Sequence, residues 1–493
     1  MAMDTHNNVK SSVNPVQKSI LTVYLSLKAV LAGAVLLLSD AVTLLKSAVK
    51  VAGGKLTGVR ESPNVVQWHG IPSVLNIPAD ANLDFNFWRK PTYIVPTLAG
   101  MVKIKLRWLL EEKRVEVIPD DYLMKWVTHG PLSRLAAIDG QQVQVDFSVI
   151  DQLTFDEDAF LTAGILRFEL GNPSSLSIEF TNGERYTPAD GAHWALAKLH
   201  MQAVASFIIP GRFHGNIHLG LPCAAAASLY RLNKKGALYQ LLAPHLRFTL
   251  RINNEALRVQ RSLDRSKAYA PFPMEGADFA QSIADDTVER TIQPGLRAPH
   301  WSLATEALPY NQFGDAYYQV IRRFVQQVLA EVDAVELNAW SNYMAAYIPN
   351  FLQADAAEAI TTLIWQVSVL HSADHYTFEF LLLSERYSFN KIRLKTPAQS
   401  GIRADLPEAQ LIDLACDPED RYRSNVFVAT FVRGHKHPLW SNTMNNLSYR
   451  FTAPALKLAA ESFQRDLLAT EQQLEQKHLN LCPLNHVFQS ICW

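Results

Sequence analysis

Two pairs of histidines carry the first chemical signal in this chain of 493 residues. One lies in Arg212-Phe213-His214-Gly215-Asn216-Ile217-His218, the other in His371-Ser372-Ala373-Asp374-His375. Each is spaced His-x3-His, so on a helix both imidazoles project from one face, a turn apart. Two such helices crossing bring four nitrogens around one divalent or trivalent ion, as helical bundles do with inward-facing ligands. One pair alone is weak evidence, because fifteen histidines make chance pairs common. The residues around the pairs decide the matter.

Upstream of the first pair stands Trp194-Ala195-Leu196-Ala197-Lys198, and downstream Leu241-Leu242-Ala243-Pro244-His245-Leu246-Arg247-Phe248-Thr249, closed by Ile252-Asn253. The second pair follows Ile364-Trp365, Ser368 and Leu370, and the chain ends Gln489-Ser490-Ile491-Cys492-Trp493. Between the pairs lies Pro309-Tyr310 with an amphipathic stretch from Tyr318 to Leu329. In this order, over residues 115 to 493, the motifs resemble the catalytic domain of the lipoxygenases. The resemblance implies a mainly α fold: a large helical catalytic domain over residues 61–493 with a small β subregion, preceded by an N-terminal apolar helix within residues 1–60. It also implies a non-haem metal dioxygenase that inserts O2 into a polyunsaturated fatty acid to give a hydroperoxide. A metal-bound hydroxide would abstract hydrogen from a methylene between two cis double bonds. The implied ligands are His214, His218, His371, His375 and the main-chain carboxylate of Trp493. Neutral imidazoles and one carboxylate suit an iron that cycles between ferrous and ferric with one position open to water. Ala256 falls where alanine accompanies S stereochemistry of oxygenation.

Several positions depart from the family pattern. The first pair is one residue shorter than the usual His-x4-His. A fungal, manganese-using branch shares that shorter spacing, so manganese stands beside iron. Trp493 replaces the usual Ile or Val. Pro222 stands where a glutamate is usual, four residues after His218, and is expected to kink that helix. Phe378 replaces a glutamine, no glutamine lies between Gln202 and His214, and Gln260 replaces an aliphatic residue of the pocket. Such glutamines link the metal ligands to the substrate pocket by hydrogen bonds. Asp374, one turn after His371, is either a compensating hydrogen-bond acceptor or a solvated helix position. His245 and Arg247 are expected to make buried hydrogen bonds that brace the helix arching over the pocket. His193 and His200 read as packing or surface groups, and His435 with His437 as a surface loop. Two other readings stay open: a lipoxygenase-fold hydroperoxide isomerase or oxidase of a non-lipid substrate, and a catalytically silent lipid-binding helical protein.

The elements that must position these residues are partly legible. From Ser19 to Val51 apolar residues recur at steps of three and four, from Ile20 and Tyr24 through Leu27, Leu31, Val35, Leu38, Val42 and Leu45 to Val49, which predicts a helix ended by Gly53-Gly54. That helix could pack on the catalytic domain or cover its pocket. It could lie on a membrane surface, with Lys18, Lys28, Lys46 and Lys50 meeting lipid phosphates. It could also be a span or a long signal sequence. Prolines 63, 72, 78 and 91 predict a loop-rich stretch to about Pro96, followed by a helix over residues 97 to 113. Asp120 to Leu135 resembles the family's helix before its Asn-Pro segment, here reduced to Gly130-Pro131. Alternation from Phe147 to Phe180 predicts a short sheet with Asn182-Gly183 as its turn.

Composition bounds the remaining possibilities. Hydrophobic residues at 48% and charged residues at 19% support a substantial core and exclude a disordered chain. A formal net charge of −1 leaves no electrostatic case for a nucleic-acid partner. The four cysteines, Cys223, Cys416, Cys482 and Cys492, contain no CxxC pair and indicate neither a zinc ribbon nor a disulfide framework, and they leave the compartment open.

Overall fold

A computed structural model describes residues 14–57, 61–68, 70–84, 90–110, 115–254, 278, 281–285, 307–353, 355–377, 391–396, 406–422, 439–440 and 449–491. The N-terminal stripe does form a helix, α1 (Pro15–Thr57), 43 residues long. It runs through Gly53-Gly54 instead of ending there. A helical glycine costs about 1 kcal/mol relative to alanine, too little to stop a helix that packs on its neighbours.

Among its described residues, the expected loop region up to Pro96 carries regular structure. It holds the antiparallel hairpin β1 (Asn64–Trp68) and β2 (Ile71–Asn76), then α2 (Ala79–Asp84) and the first turns of α3 (Lys90–Leu110). The prolines sit where regular structure tolerates them: Pro78 just ahead of α2 and Pro91 in the first turn of α3. Helix α1 packs against both α2 and α3.

Helix α4 (Asp120–Thr128) and a 3-10 turn (Pro131–Leu135) lead into a five-stranded antiparallel meander. Its strands are β3 (Ala136–Asp139), β4 (Gln142–Asp146), β5 (Gly164–Glu169), β6 (Asn172–Phe180) and β7 (Arg185–Tyr186). The sheet therefore begins eleven residues before the expected Phe147 (147 − 136 = 11). Val143, Val145, Leu166, Phe168, Ile178 and Phe180 alternate onto its buried face, as period-two patterning requires. Asn182-Gly183 is the expected turn: Gly183 sits at φ +86°, and its N–H donates to the Phe180 carbonyl at 2.9 Å.

The rest is mostly helical: α5 (Ala192–Phe207), α6 (His214–Leu219), α7 (Leu221–Ser228), α8 (Ala237–Leu242), α9 (Thr249–Asn254), α10 (Pro309–Leu329), α11 (Ala334–Ala345), α12 (Ala356–Trp365), α13 (His371–Thr377), α14 (Glu408–Ala415) and α15 (Pro454–Gln476). Helix α10 buries Tyr310, Phe313, Tyr317, Ile321, Phe324 and Val328, a stripe at steps of three and four, against α12 and α15. Phe324 stacks on Phe463 of α15 at 4.3 Å between ring centroids. Two apolar clusters result. One gathers the sheet, α4 and α5; the other gathers α7, α10, α12, α15 and the C-terminal segment. Helix α6 lies at their seam, with Ile217 in one and Leu219 in the other.

Candidate metal centre

Each histidine pair follows a π-helical segment, a feature absent from the sequence reading. Helix α5 passes through Ile208–Phe213 into α6, and α12 passes through Gln366–Leu370 into α13. A π turn inserts a residue into the helical repeat and rotates whatever follows it. In the first segment the cause is visible, since Pro210 has no N–H to donate to the preceding turn. In the second, the Ser372 hydroxyl donates to the Ser368 carbonyl at 2.5 Å, and the Ser368 hydroxyl donates to the Gln489 carbonyl at 3.0 Å. The effect of Pro222 is stronger than a kink. Helix α6 stops at Gly220, and α7 starts afresh with Pro222 in its first turn, where a proline costs nothing.

The two segments cross so that His214, His218, His371 and His375 face one another, all buried, with one nitrogen of each lying within 4.8 Å of the others. The ring centroids of His214 stand 4.5 Å from His218, 5.0 Å from His371 and 4.6 Å from His375. The Nε2 atoms of His214 and His218 are 2.8 Å apart. Metal–nitrogen bonds of about 2.0–2.1 Å, as for zinc, place two adjacent ligand nitrogens about 3 Å apart, so this spacing fits a shared ion. Burial holds the His214 imidazole below its ordinary pKa, although Asp374 pulls the other way. Burial, reinforced by His214 and His375, puts His218 well below. Both rings are therefore neutral near pH 7, the state in which a nitrogen lone pair binds metal. A dry set of four imidazoles is a donor set for a first-row transition metal, and it does not suit calcium or magnesium, which take oxygen ligands.

Asp374 is fully buried, which overturns its reading as a solvated helix position. Its carboxylate accepts from Arg134 at 3.0 and 3.2 Å and from the Tyr310 hydroxyl at 2.6 Å, and it stands 3.7 Å from His214 Nδ1. Burial raises its pKa, but Arg134, His214 and Tyr310 outweigh that and hold it below the usual carboxylate range. An anion beside Nδ1 favours the tautomer that carries its proton there and leaves Nε2 free for metal. Sequence reading offered Asp374 as a compensating acceptor but missed its partners Arg134 and Tyr310. Arg134 and Asp374 lie 240 positions apart, and no local pattern joins them.

The C-terminal segment runs into the same region. The Phe488 N–H donates to the Ser372 hydroxyl at 2.7 Å, and the Phe488 ring lies 6.0 Å from that of His371. His245 Nδ1 donates to the Gln489 carbonyl at 2.8 Å, while its Nε2 accepts from the Tyr449 hydroxyl at 2.6 Å. Burial lowers His245 to about 4, so it hydrogen-bonds as a neutral buried ring, as expected, though the element it braces is the C-terminal segment. Ile491 is buried; Trp493 lies outside the described residues, as do Ala256, Gln260, Phe378, His435 and His437.

Other matched motifs turn out to hold elements together. Trp194 and Lys198 both bond Asp120 at the start of α4, at 3.0 and 2.7 Å. Asn253 pairs with the backbone of β2 through Val74 N–H and the Pro72 carbonyl. Gln202 bonds the backbone of Glu116 and Ile118. Arg247, expected to bond in the interior, instead makes a half-buried ion pair with Asp84 at 2.7 Å. His200 is buried against Phe180, and His193 is half-buried beside Tyr186.

No protein-family model matches the sequence, and no curated protein sequence does. Solved structures match strongly. A calcium-dependent 11R-lipoxygenase superposes with TM-score 0.67 at 12% identity, covering 90% of this chain and 80% of that one. The manganese lipoxygenase of Gaeumannomyces graminis gives 0.59 at 12% identity over 87% of this chain and 92% of the other. A 9R-lipoxygenase from Cyanothece gives 0.56 at 14% identity, with coverages of 84% and 71%. The chain has the fold of the lipoxygenase catalytic domain.

Proposed function

We propose that this chain, which has the lipoxygenase fold, is a non-haem metal dioxygenase that inserts O2 into a polyunsaturated fatty acid to give a hydroperoxide. The observation that carries the reading is the buried group of four histidines drawn from two crossing helices. His214, His218, His371 and His375 are assigned as ligands, with the terminal carboxylate of Trp493 as a fifth. Phe488 already contacts α13 and Ile491 is buried, and the two residues after it reach at most about 7 Å. Iron is the assigned metal. Manganese is the alternative, since a manganese lipoxygenase is among the structural neighbours. A metal held there would supply the one-electron oxidant for removing a hydrogen, as an electron and a proton, from a carbon between two double bonds.

The protein's own groups do the rest. Asp374, anchored by Arg134 and Tyr310, orients His214. His245 and Ser368 hold the Gln489 carbonyl and so direct the chain toward the histidines. The apolar residues of α6 and α12 exclude water. A fatty acid is assigned as substrate because a neighbouring lipoxygenase was solved in complex with arachidonate. Ala256 is assigned to stereocontrol: Ala256→Gly should raise the share of R product in chiral chromatography, and an unchanged ratio removes it from that role.

Oxygen uptake with linoleate, measured beside uptake with a fatty acid hydroperoxide, tests the proposal. Consumption with linoleate and a conjugated-diene product support it. Turnover of the hydroperoxide alone replaces it with an isomerase on the same fold. A metal-free protein inert to both makes the chain a lipid-binding relative.

A further inference from the structure

Helix α1 carries the largest anomaly on the surface of the described residues. Soluble proteins rarely expose long contiguous apolar patches, yet Ile20, Leu27, Val30, Leu31, Leu45 and Val49 are each 64–69% exposed. With Val16, Val23, Tyr24 and Val42 they form an apolar ridge on one face of the helix, described over residues 16–31 and 42–49. At 1.5 Å per residue these two stretches run about 23 Å and about 11 Å. At 100° per residue these positions span about 120°, broader than a coiled-coil seam. The opposite face is engaged, with Leu25 and Ala29 half-buried and the Ser47 hydroxyl accepting from Asn82 Nδ2 of α2 at 2.9 Å.

The charges are one-sided. Between Pro15 and Thr57 the helix has five lysines and a single acidic residue, Asp40. Lys28 and Lys46 are eighteen positions apart, five helical turns, so they lie on the same edge of the ridge. Each follows an exposed apolar residue by one turn, Tyr24 and Val42, and the Lys28 ammonium sits 4.8 Å above the Tyr24 ring. Pairing with a second copy would set cationic edges together with almost no carboxylate to answer them. No helix among the described residues is long and apolar enough to cross a membrane, and one face of α1 is occupied by the protein.

We propose that α1 docks the enzyme flat on an anionic phospholipid surface, with the ridge in the acyl boundary and Lys28 and Lys46 against headgroup phosphates. This inference does not rest on the proposed oxygenation. Its test is sedimentation of the full chain with vesicles of phosphatidylglycerol and phosphatidylcholine, against pure phosphatidylcholine, at low and high salt.

Binding is expected on the anionic vesicles and should weaken with salt. Lys28→Glu and Lys46→Glu should each reduce it at least about fivefold, and Leu27→Glu with Leu31→Glu should reduce it more than tenfold. Metal content and oxygen uptake from dispersed fatty acid, measured on the same preparations, should stay at the wild-type level, because these residues touch neither the histidines nor the core. Equal binding by the Leu27→Glu, Leu31→Glu variant overturns the proposal. So does a vesicle-independent dimer in light scattering that the same substitutions dissolve, which would make the ridge a self-interface.

Discussion

Two stretches of this chain have much the same local character and opposite surroundings. The run from α12 into α13 is apolar with scattered hydroxyls, and every residue from Ala359 to His375 is buried. Helix α1 is apolar at similar steps, yet among the described residues only one of its faces meets protein. In the first stretch every polar atom needs a partner: Trp365 Nε1 donates to the Gly314 carbonyl at 2.8 Å, Ser368 bonds Gln489, and Asp374 is held from two sides. In the second, Ile20, Leu27, Leu31, Leu45 and Val49 face outward, with Lys28 over the Tyr24 ring. The comparison teaches that apolar periodicity sets the helix, while the neighbours decide whether its residues become core, a buried histidine cluster or an exposed ridge.

The comparison breaks first at the histidines. His371→Ala should leave less than a tenth of the wild-type metal per chain by elemental analysis, since it removes one of four buried donors. His375→Asn should be milder, because asparagine still offers an oxygen ligand. Full metal in the alanine variant would remove His371 from the ligand set. Extending the chain beyond Trp493 should abolish oxygen uptake and lower metal content, because it replaces the carboxylate by an amide. An N-terminal extension should be tolerated, and equal activity of both extended proteins would exclude Trp493 as a ligand.

Smaller effects separate the buried run from the exposed helix. Asp374→Asn should destabilise by about 3–5 kcal/mol in urea unfolding, since it leaves Arg134 buried without its counter-charge. Leu363→Ala, at a fully buried site, should cost about 2–5 kcal/mol. Leu27→Glu on α1 should change stability by no more than about 0.5 kcal/mol, as exposed positions do. A large loss at Leu27 would mean that the ridge is covered in solution.

Much of the site was legible in the sequence because its signals are local. His-x3-His places two rings on one helical face whatever lies around it, and the order of motifs from Trp194 to Gln489 named the fold. Asn182-Gly183 marked its turn because the conformation at Gly183 is one that residues with a side chain rarely adopt. The prolines misled: the stretch before Pro96 was expected to be loop, and Pro78 and Pro91 instead mark where helices begin.

What only the tertiary structure decided is of another kind. Which way α1 turns its apolar ridge, how the π segments at Pro210 and Ser368 aim the imidazoles, and that Arg134 and Tyr310 converge on Asp374 all depend on groups far apart in the chain. A helix or a turn is written in neighbours three or four residues away. A buried charge pair spanning 240 positions exists only once packing has removed the water that would otherwise solvate each partner alone.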